Sequence, residues 1–117
     1  MLGTDLEDLR SGDLSKAIRR GDKFVEKVIE EASEYISIAV ANLINVINPE
    51  VVVIGGGVLD ALEDEMMAII IETAQDYAMP GTAKGIEIIA SKLGDDAGIT
   101  GGAVLARRML KTAAKAE

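Results

Sequence analysis

Asn48-Pro49-Glu50-Val51-Val52-Val53-Ile54-Gly55-Gly56-Gly57-Val58 is the stretch best suited to chemistry. A run of β-formers ends in three glycines, and a helical pattern follows. A glycine-rich loop after a buried strand lets a ligand approach the backbone closely, because no Cβ stands in the way. Gly55, Gly56 and Gly57 are therefore candidate ligand-contact residues, with a plain turn of the chain as the other reading. The loop is no dinucleotide fingerprint, since Asp60 stands where the third small residue of Gly-x-Gly-x-x-Gly belongs. It is no P-loop either, because no Gly-Lys-Ser/Thr follows. With no basic residue beside it, it suits a nucleoside better than a triphosphate.

Other polar clusters have simpler readings. Asp95-Asp96 reads as the cap of the last helix, with a metal pair as the competing reading. Asp60, Glu63 and Asp64 share a helical face and complement the positive end of a helix dipole; a Mg²⁺ site is the alternative. Asn42, Asn45 and Asn48 lie in apolar surroundings and read as polar groups satisfying nearby turns or missing strands, with ligand contacts as the competing reading. No catalytic residue and no metal ligand is assigned.

Composition narrows the chemistry further. The 117 residues include no Cys and no His, so thiolate catalysis, Cys-based zinc and imidazole bases are excluded. Proton transfer would fall to Asp, Glu, Lys or Tyr. A net charge of −8 argues against nucleic acid. Hydrophobic residues make up 49% of the chain, enough for a core of Ile, Val, Leu, Met and Ala. No apolar run approaches the roughly 20 residues that span a bilayer. Met1 to Asp5 has no signal-like character, and a cytoplasmic setting is expected.

The elements that position the loop follow from periodicity. Residues 1–20 read as a loosely ordered N-terminal arm, with a short helix around Ser15 to Arg20 that uses Leu6, Leu9, Leu14, Ala17 and Ile18. Residues 21–117 read as one half-domain. Gly21-Asp22 opens a long helix, with Asp22 as N-cap, running from Lys23 to about Ile47. Its second half is apolar nearly all round, which predicts burial on more than one side. Pro49 ends it. Val51–Ile54 shows no alternation and reads as a strand covered on both faces. A helix over Asp60 to about Met79, a strand over Ile86 to Ala90 and a helix from about Ala97 to Ala114 complete the chain, with fraying expected beyond Lys111. The fold class is α/β, in the order α-β-α-β-α with two short parallel strands. Two strands make a poor sheet. The sequence reads as part of a larger α/β domain, and self-association as a homodimer or higher oligomer, burying the apolar end of helix 22–47, is expected.

The run from Ile38 to Val58 closely resembles the C-terminal half of ROK proteins (repressors, open reading frames and sugar kinases). Leu93-Gly94-Asp95-Asp96-Ala97-Gly98-Ile99-Thr100-Gly101-Gly102-Ala103 resembles the segment opening that family's last helix, and Ala17-Ile18-Arg19-Arg20-Gly21-Asp22 fits the lead-in. The resemblance implies a partial ribonuclease-H-like (actin-like ATPase) half-domain. It implies ATP with Mg as the cofactor of the intact parent, and it places adenosine near Gly55, Gly56, Gly57 and Val58. The family's Asp-x-Gly-Gly-Thr phosphate loop, its Asn-Asp pair with the catalytic Asp, its second phosphate loop and its zinc segment have no counterpart here. Two functions are compatible with this pattern. One is a C-terminal segment of a glucokinase-like ROK kinase, inactive alone, whose partner is a missing N-terminal half. The other is a non-catalytic oligomerisation or sugar-sensing module derived from a ROK protein.

Overall fold

The computed structural model describes residues 8–113. Leu6, the N-terminal residues read for targeting and the tail beyond Ala113 lie outside the described residues. The elements are α1 (Ser11–Arg19), α2 (Lys23–Ile47), β1 (Val51–Ile54), α3 (Gly57–Ala61), α4 (Glu63–Tyr77), β2 (Glu87–Ala90) and α5 (Ala97–Ala113). A 3₁₀ turn over Gly94–Asp96 leads into α5.

The first helix begins earlier than its apolar pattern suggested. Arg10 N donates to Asp13 Oδ2 at 3.3 Å, which secures the first turn. Ala17 is buried, and Leu14 and Ile18 pack against the core. The chain then turns at Gly21, whose φ of 78° favours glycine.

The long helix follows its signals at both ends. Asp22 Oδ1 accepts from Phe24 N at 3.1 Å and Val25 N at 3.2 Å, satisfying two of the four free donors of the first turn. At the other end Asn48 adopts the left-handed conformation, φ 49°, and its N–H donates to Ile44 O at 3.0 Å. Asparagine tolerates that conformation better than most side chains. Pro49 then prevents the helix from resuming.

The core is the seam between α2 and α4. Ile29, Ser33, Ser37, Val40, Ala41 and Ile44 are buried on α2. Leu62, Met66, Ile70, Ala74 and Ala78, buried at every fourth position, face them. Ser33 and Ser37 are fully buried. Each hydroxyl donates at 2.7 Å to the carbonyl one turn earlier, Ile29 O and Ser33 O. Their polarity is thereby satisfied within the helix, and their small size lets the two helices approach closely.

A single helix from Asp60 was expected; the structure divides it. The short α3 ends at Leu62, whose φ of −136° breaks the helix, and α4 starts at Glu63. The bend turns Leu62 fully into the core.

The strands pair in parallel, with Val51 opposite Glu87, Val52 opposite Ile88, Val53 opposite Ile89 and Ile54 opposite Ala90. Val52, Ile54, Ile88 and Ala90 belong to the core side. The opposite face is open: Val51, Val53 and Ile89 are 43%, 57% and 42% exposed. The expectation of a strand covered on both faces is corrected here, because all the packed helices lie on one side. The second half of α2 is likewise buried on one face, with Val46 84% exposed on the other. No residue of α5 is buried. The Cα radius of gyration is 18.1 Å, against about 13 Å for a compact domain of this size.

Two stability predictions follow from this core. Ser37→Ala should change unfolding free energy by less than about 1 kcal/mol, because the helix still satisfies the Ser33 carbonyl. Ser37→Leu should cost about 1–3 kcal/mol by forcing the helices apart. Urea denaturation of both variants checks the contrast. A second probe is Asn45, whose Oδ1 accepts from Met79 N at 2.8 Å and Thr82 Oγ1 at 3.1 Å. Asn45→Ala should cost about 1 kcal/mol and accelerate amide exchange at Met79, while Asn45→Asp, which keeps the acceptor, should retain most of the protection.

Candidate functional site

Because β1 and β2 run parallel, their C-terminal ends emerge at the same edge. Two loops therefore stand side by side, one from Gly55 and one from Ser91. In open α/β sheets this edge is where ligands bind, since the loops diverge there and leave a crevice. The last ladder bond, Ser91 N to Ile54 O at 2.7 Å, clamps the two loops at their base.

Gly55, Gly56, Gly57 and Val58, the residues singled out from sequence, form one turn at that edge. Gly55 is needed for packing. A Cβ at Gly55 would stand 3.0 Å from the Ser91 Cβ, closer than side chains normally approach. Gly56 is needed for backbone conformation, with φ 137°, a region reserved largely for glycine. A Cβ there would meet nothing within 4 Å, so the backbone faces open space. Its carbonyl accepts from Asp60 N at 2.9 Å, fixing the entry into α3. Gly57 starts that helix, and Val58 is half-exposed beside it.

The second loop was not legible as part of a site. Ser91 Oγ accepts from Leu93 N at 3.2 Å, shaping the turn. Gly94 takes φ 49°, and a Cβ there would lie 3.2 Å from Asp60 Oδ1. Asp60 thus reaches from the first loop's helix to the backbone of the second. No motif marks Ser91; only the parallel register of β2 against β1 places it beside Gly55. Asp95 and Asp96 fall in the 3₁₀ turn directly ahead of α5.

The carboxylate face read from the sequence is divided by the break at Leu62. Asp60 lies on α3 against Gly94, whereas Glu63 and Asp64 open α4. Among the described residues no cluster of three His, Cys, Asp or Glu side chains is placed to hold a metal ion. Asn45 serves the 79–82 turn, and Asn48 ends α2. Asn42 is exposed.

Among the described residues two titrating groups are displaced, and neither belongs to the loops. The Asp13 carboxyl is held below its ordinary range by the hydrogen bond from Lys16. The Lys23 ammonium is raised by its hydrogen bond to Glu26. A groove of about 510 Å³ runs between α1, α2 and α4, lined by Ile18, Lys23, Lys27, Ile29, Glu30 and Ile69 among others. None of residues 55–58 lines it. The loop edge therefore offers backbone groups and open space, suited to a flat, uncharged ligand portion. It offers no cationic cradle from its own turn. Among the described residues no helix is long and apolar enough to cross a membrane.

The model of the ROK family matches residues 1–109. A glucokinase of Halalkalibacterium halodurans is 38% identical over 100 residues, covering 86% of this chain and 30% of the relative. A glucokinase of Thermotoga maritima is 36% identical over 97 residues, covering 83% of this chain and 30% of the relative. The chain thus spans less than a third of the length of these glucokinases. Among solved structures, a ROK family transcriptional regulator, a homologue of the E. coli MLC protein, superposes with a TM-score of 0.62 at 25% identity, over 73% of this chain and 21% of the regulator. On the match of its sequence from the first helix through most of α5, this chain belongs to the ROK family.

Proposed function

We propose that this chain is the C-terminal, adenosine-side segment of a ROK-type, ATP-dependent sugar kinase, with its chemistry completed by residues outside the stretch described. The observation that carries the reading is the glycine turn at the strand edge. Gly55 lies tight against Ser91, Gly56 is held open at positive φ, and both face away from the core. This turn fits the nucleoside part of ATP, where backbone polar groups and a flat apolar approach matter most. ATP, when bound, supplies the γ-phosphoryl group. The residues here hold and orient its adenosine end. They do not fit the phosphate and Mg²⁺ end, since the turn has no cation and the described residues include no metal-holding carboxylate cluster.

The uncovered surfaces support the same reading. The open sheet face of Val51, Val53 and Ile89 and the unburied helix α5 need a cover of further strands and helices. A partial ribonuclease-H-like half-domain, completed by an N-terminal half, provides both. The likeness to a ROK transcriptional regulator favours one other reading, a non-catalytic sugar-sensing or oligomerisation module.

A coupled assay with ATP and glucose on the purified chain is expected to show no turnover, and clear substrate-dependent turnover would sink the proposal. Titration with ATP followed by amide NMR should give saturable shifts at residues 55–58 and 91–94. Absence of any shift, together with tight self-association, would favour the non-catalytic module. Gly56→Ala tests the turn itself: forcing a Cβ onto φ 137° should cost about 1–3 kcal/mol of stability and weaken nucleotide binding.

A further inference from the structure

Asp60 is the one charged residue of the first loop and its helix, residues 55–61. Its amide is fixed by the bond to Gly56 O at 2.9 Å, so the side chain leaves α3 one turn after the glycines. Asp60 is exposed, and among the described residues no ion pair involves it. A Cβ built on Gly94 would lie 3.2 Å from Oδ1, 3.4 Å from Cγ and 3.4 Å from Oδ2 of Asp60. Three atoms so nearly equidistant mean that the carboxylate lies flat against that glycine. A carboxylate accepts hydrogen bonds mainly in its own plane, along its lone pairs. The contact with Gly94 is therefore on the face of the group, and the in-plane acceptor sites stay open along the crevice between the loops.

We infer that Asp60 selects ribonucleosides by accepting hydrogen bonds from the two vicinal hydroxyls of a ribose. The inference rests on the reading of the glycine turn as an adenosine contact, and adds the group that chooses among nucleosides. An ionised carboxylate is acceptor-only, so it engages donors and repels other acceptors. Its two oxygens, fixed in one plane, match two neighbouring hydroxyls. Carboxylates hold a ribose hydroxyl in the same way in dinucleotide-binding folds.

Charge sets the direction of entry. Across the two loops, residues 55–61 and 91–96, one lysine stands against three aspartates. Phosphate oxygens are repelled from such an edge, so a nucleotide enters base and sugar first. The base then meets the backbone of the turn, which is open at Gly56. Gly94 completes the arrangement. At φ 49° and without a side chain, it gives the carboxylate a backbone surface to lie on, and this fixes the plane of its acceptors.

Amide NMR titration of the full chain, near neutral pH, tests the inference, with circular dichroism as the control for folding. The probes are adenosine, 2′,3′-dideoxyadenosine and purine riboside, which lacks the 6-amino group. Adenosine should give saturable shifts at residues 55–58 and 91–94. Dideoxyadenosine should bind at least about tenfold more weakly, the size expected for hydrogen bonds to a charged group. Asp60→Ala should bring adenosine and purine riboside down to the dideoxyadenosine level and leave dideoxyadenosine itself unchanged. Asp60→Asn, nearly isosteric, should lose part of the same discrimination. Equal binding of adenosine and dideoxyadenosine by the wild-type chain overturns the inference and leaves the adenosine reading standing. So does an equal loss for both in Asp60→Ala, which would make Asp60 a clasp between the loops, or a dependence on Asp60 that follows the 6-amino group. Absence of shifts with every nucleoside sinks the adenosine reading and this inference with it.

Discussion

The close seam between α2 and α4 is the constraint on which the other elements depend. Helices approach this tightly only where their contact residues are small, and Ser33, Ser37, Ala41 and Ala74 supply that. Two buried hydroxyls would normally be a liability in an apolar seam. Here each bonds back to its own helix at 2.7 Å, so neither needs a partner across the interface. The larger residues, Ile29, Ile44, Leu62, Met66 and Ile70, fill the remaining volume. Each helix of the pair leads into a strand. Fixing the helices therefore fixes β1 and β2 against each other, and with them the two loops at the strand edge.

Such a frame explains how a short, two-stranded sheet positions a precise turn. The strands themselves contribute little, with four residues each and one open face. Their relative position comes from the helices beneath, from the backbone bond of Ser91 to Ile54 at one end and from Glu87 N to Glu50 O at the other. Asp60 then joins the loops from above by lying against Gly94. The glycines are needed only where this closeness demands them. Gly55 makes room for Ser91, and Gly56 and Gly94 take positive φ.

Much of this was readable from residue order, for definite physical reasons. Asp22, Asn48 and Pro49 act through local backbone chemistry, so the limits of α2 follow from neighbours in sequence. The four-residue strand and the turn after it are similarly local. The break at Leu62 was not readable, since neither glycine nor proline marks it. It arises because α3 follows the turn at Gly56 whereas α4 follows the seam with α2, and the two directions differ. Ser33 and Ser37 are polar by type, yet they lie fully buried at the centre of the seam, because size outweighs polarity where a hydroxyl can bond its own helix. The proximity of Asp60 to Gly94 is a tertiary contact between segments over thirty positions apart, and no local pattern encodes it.

The apolar run of β1 and the all-round apolar end of α2 misled in an instructive way. Both patterns predict two-sided cover, and the structure provides one side. Hydrophobic periodicity reports the surroundings in which a segment is buried when all its neighbours are present, whichever chain or segment they come from. The uncovered surfaces are also unlike one another. The open sheet has an exposed edge on either side, whose unpaired backbone groups can be satisfied by further strands. The outer face of α2 has all its backbone groups bonded within the helix and presents side chains alone, with an amide at its centre. The first surface calls for chain that extends the sheet; the second calls for a surface that packs side chains alone.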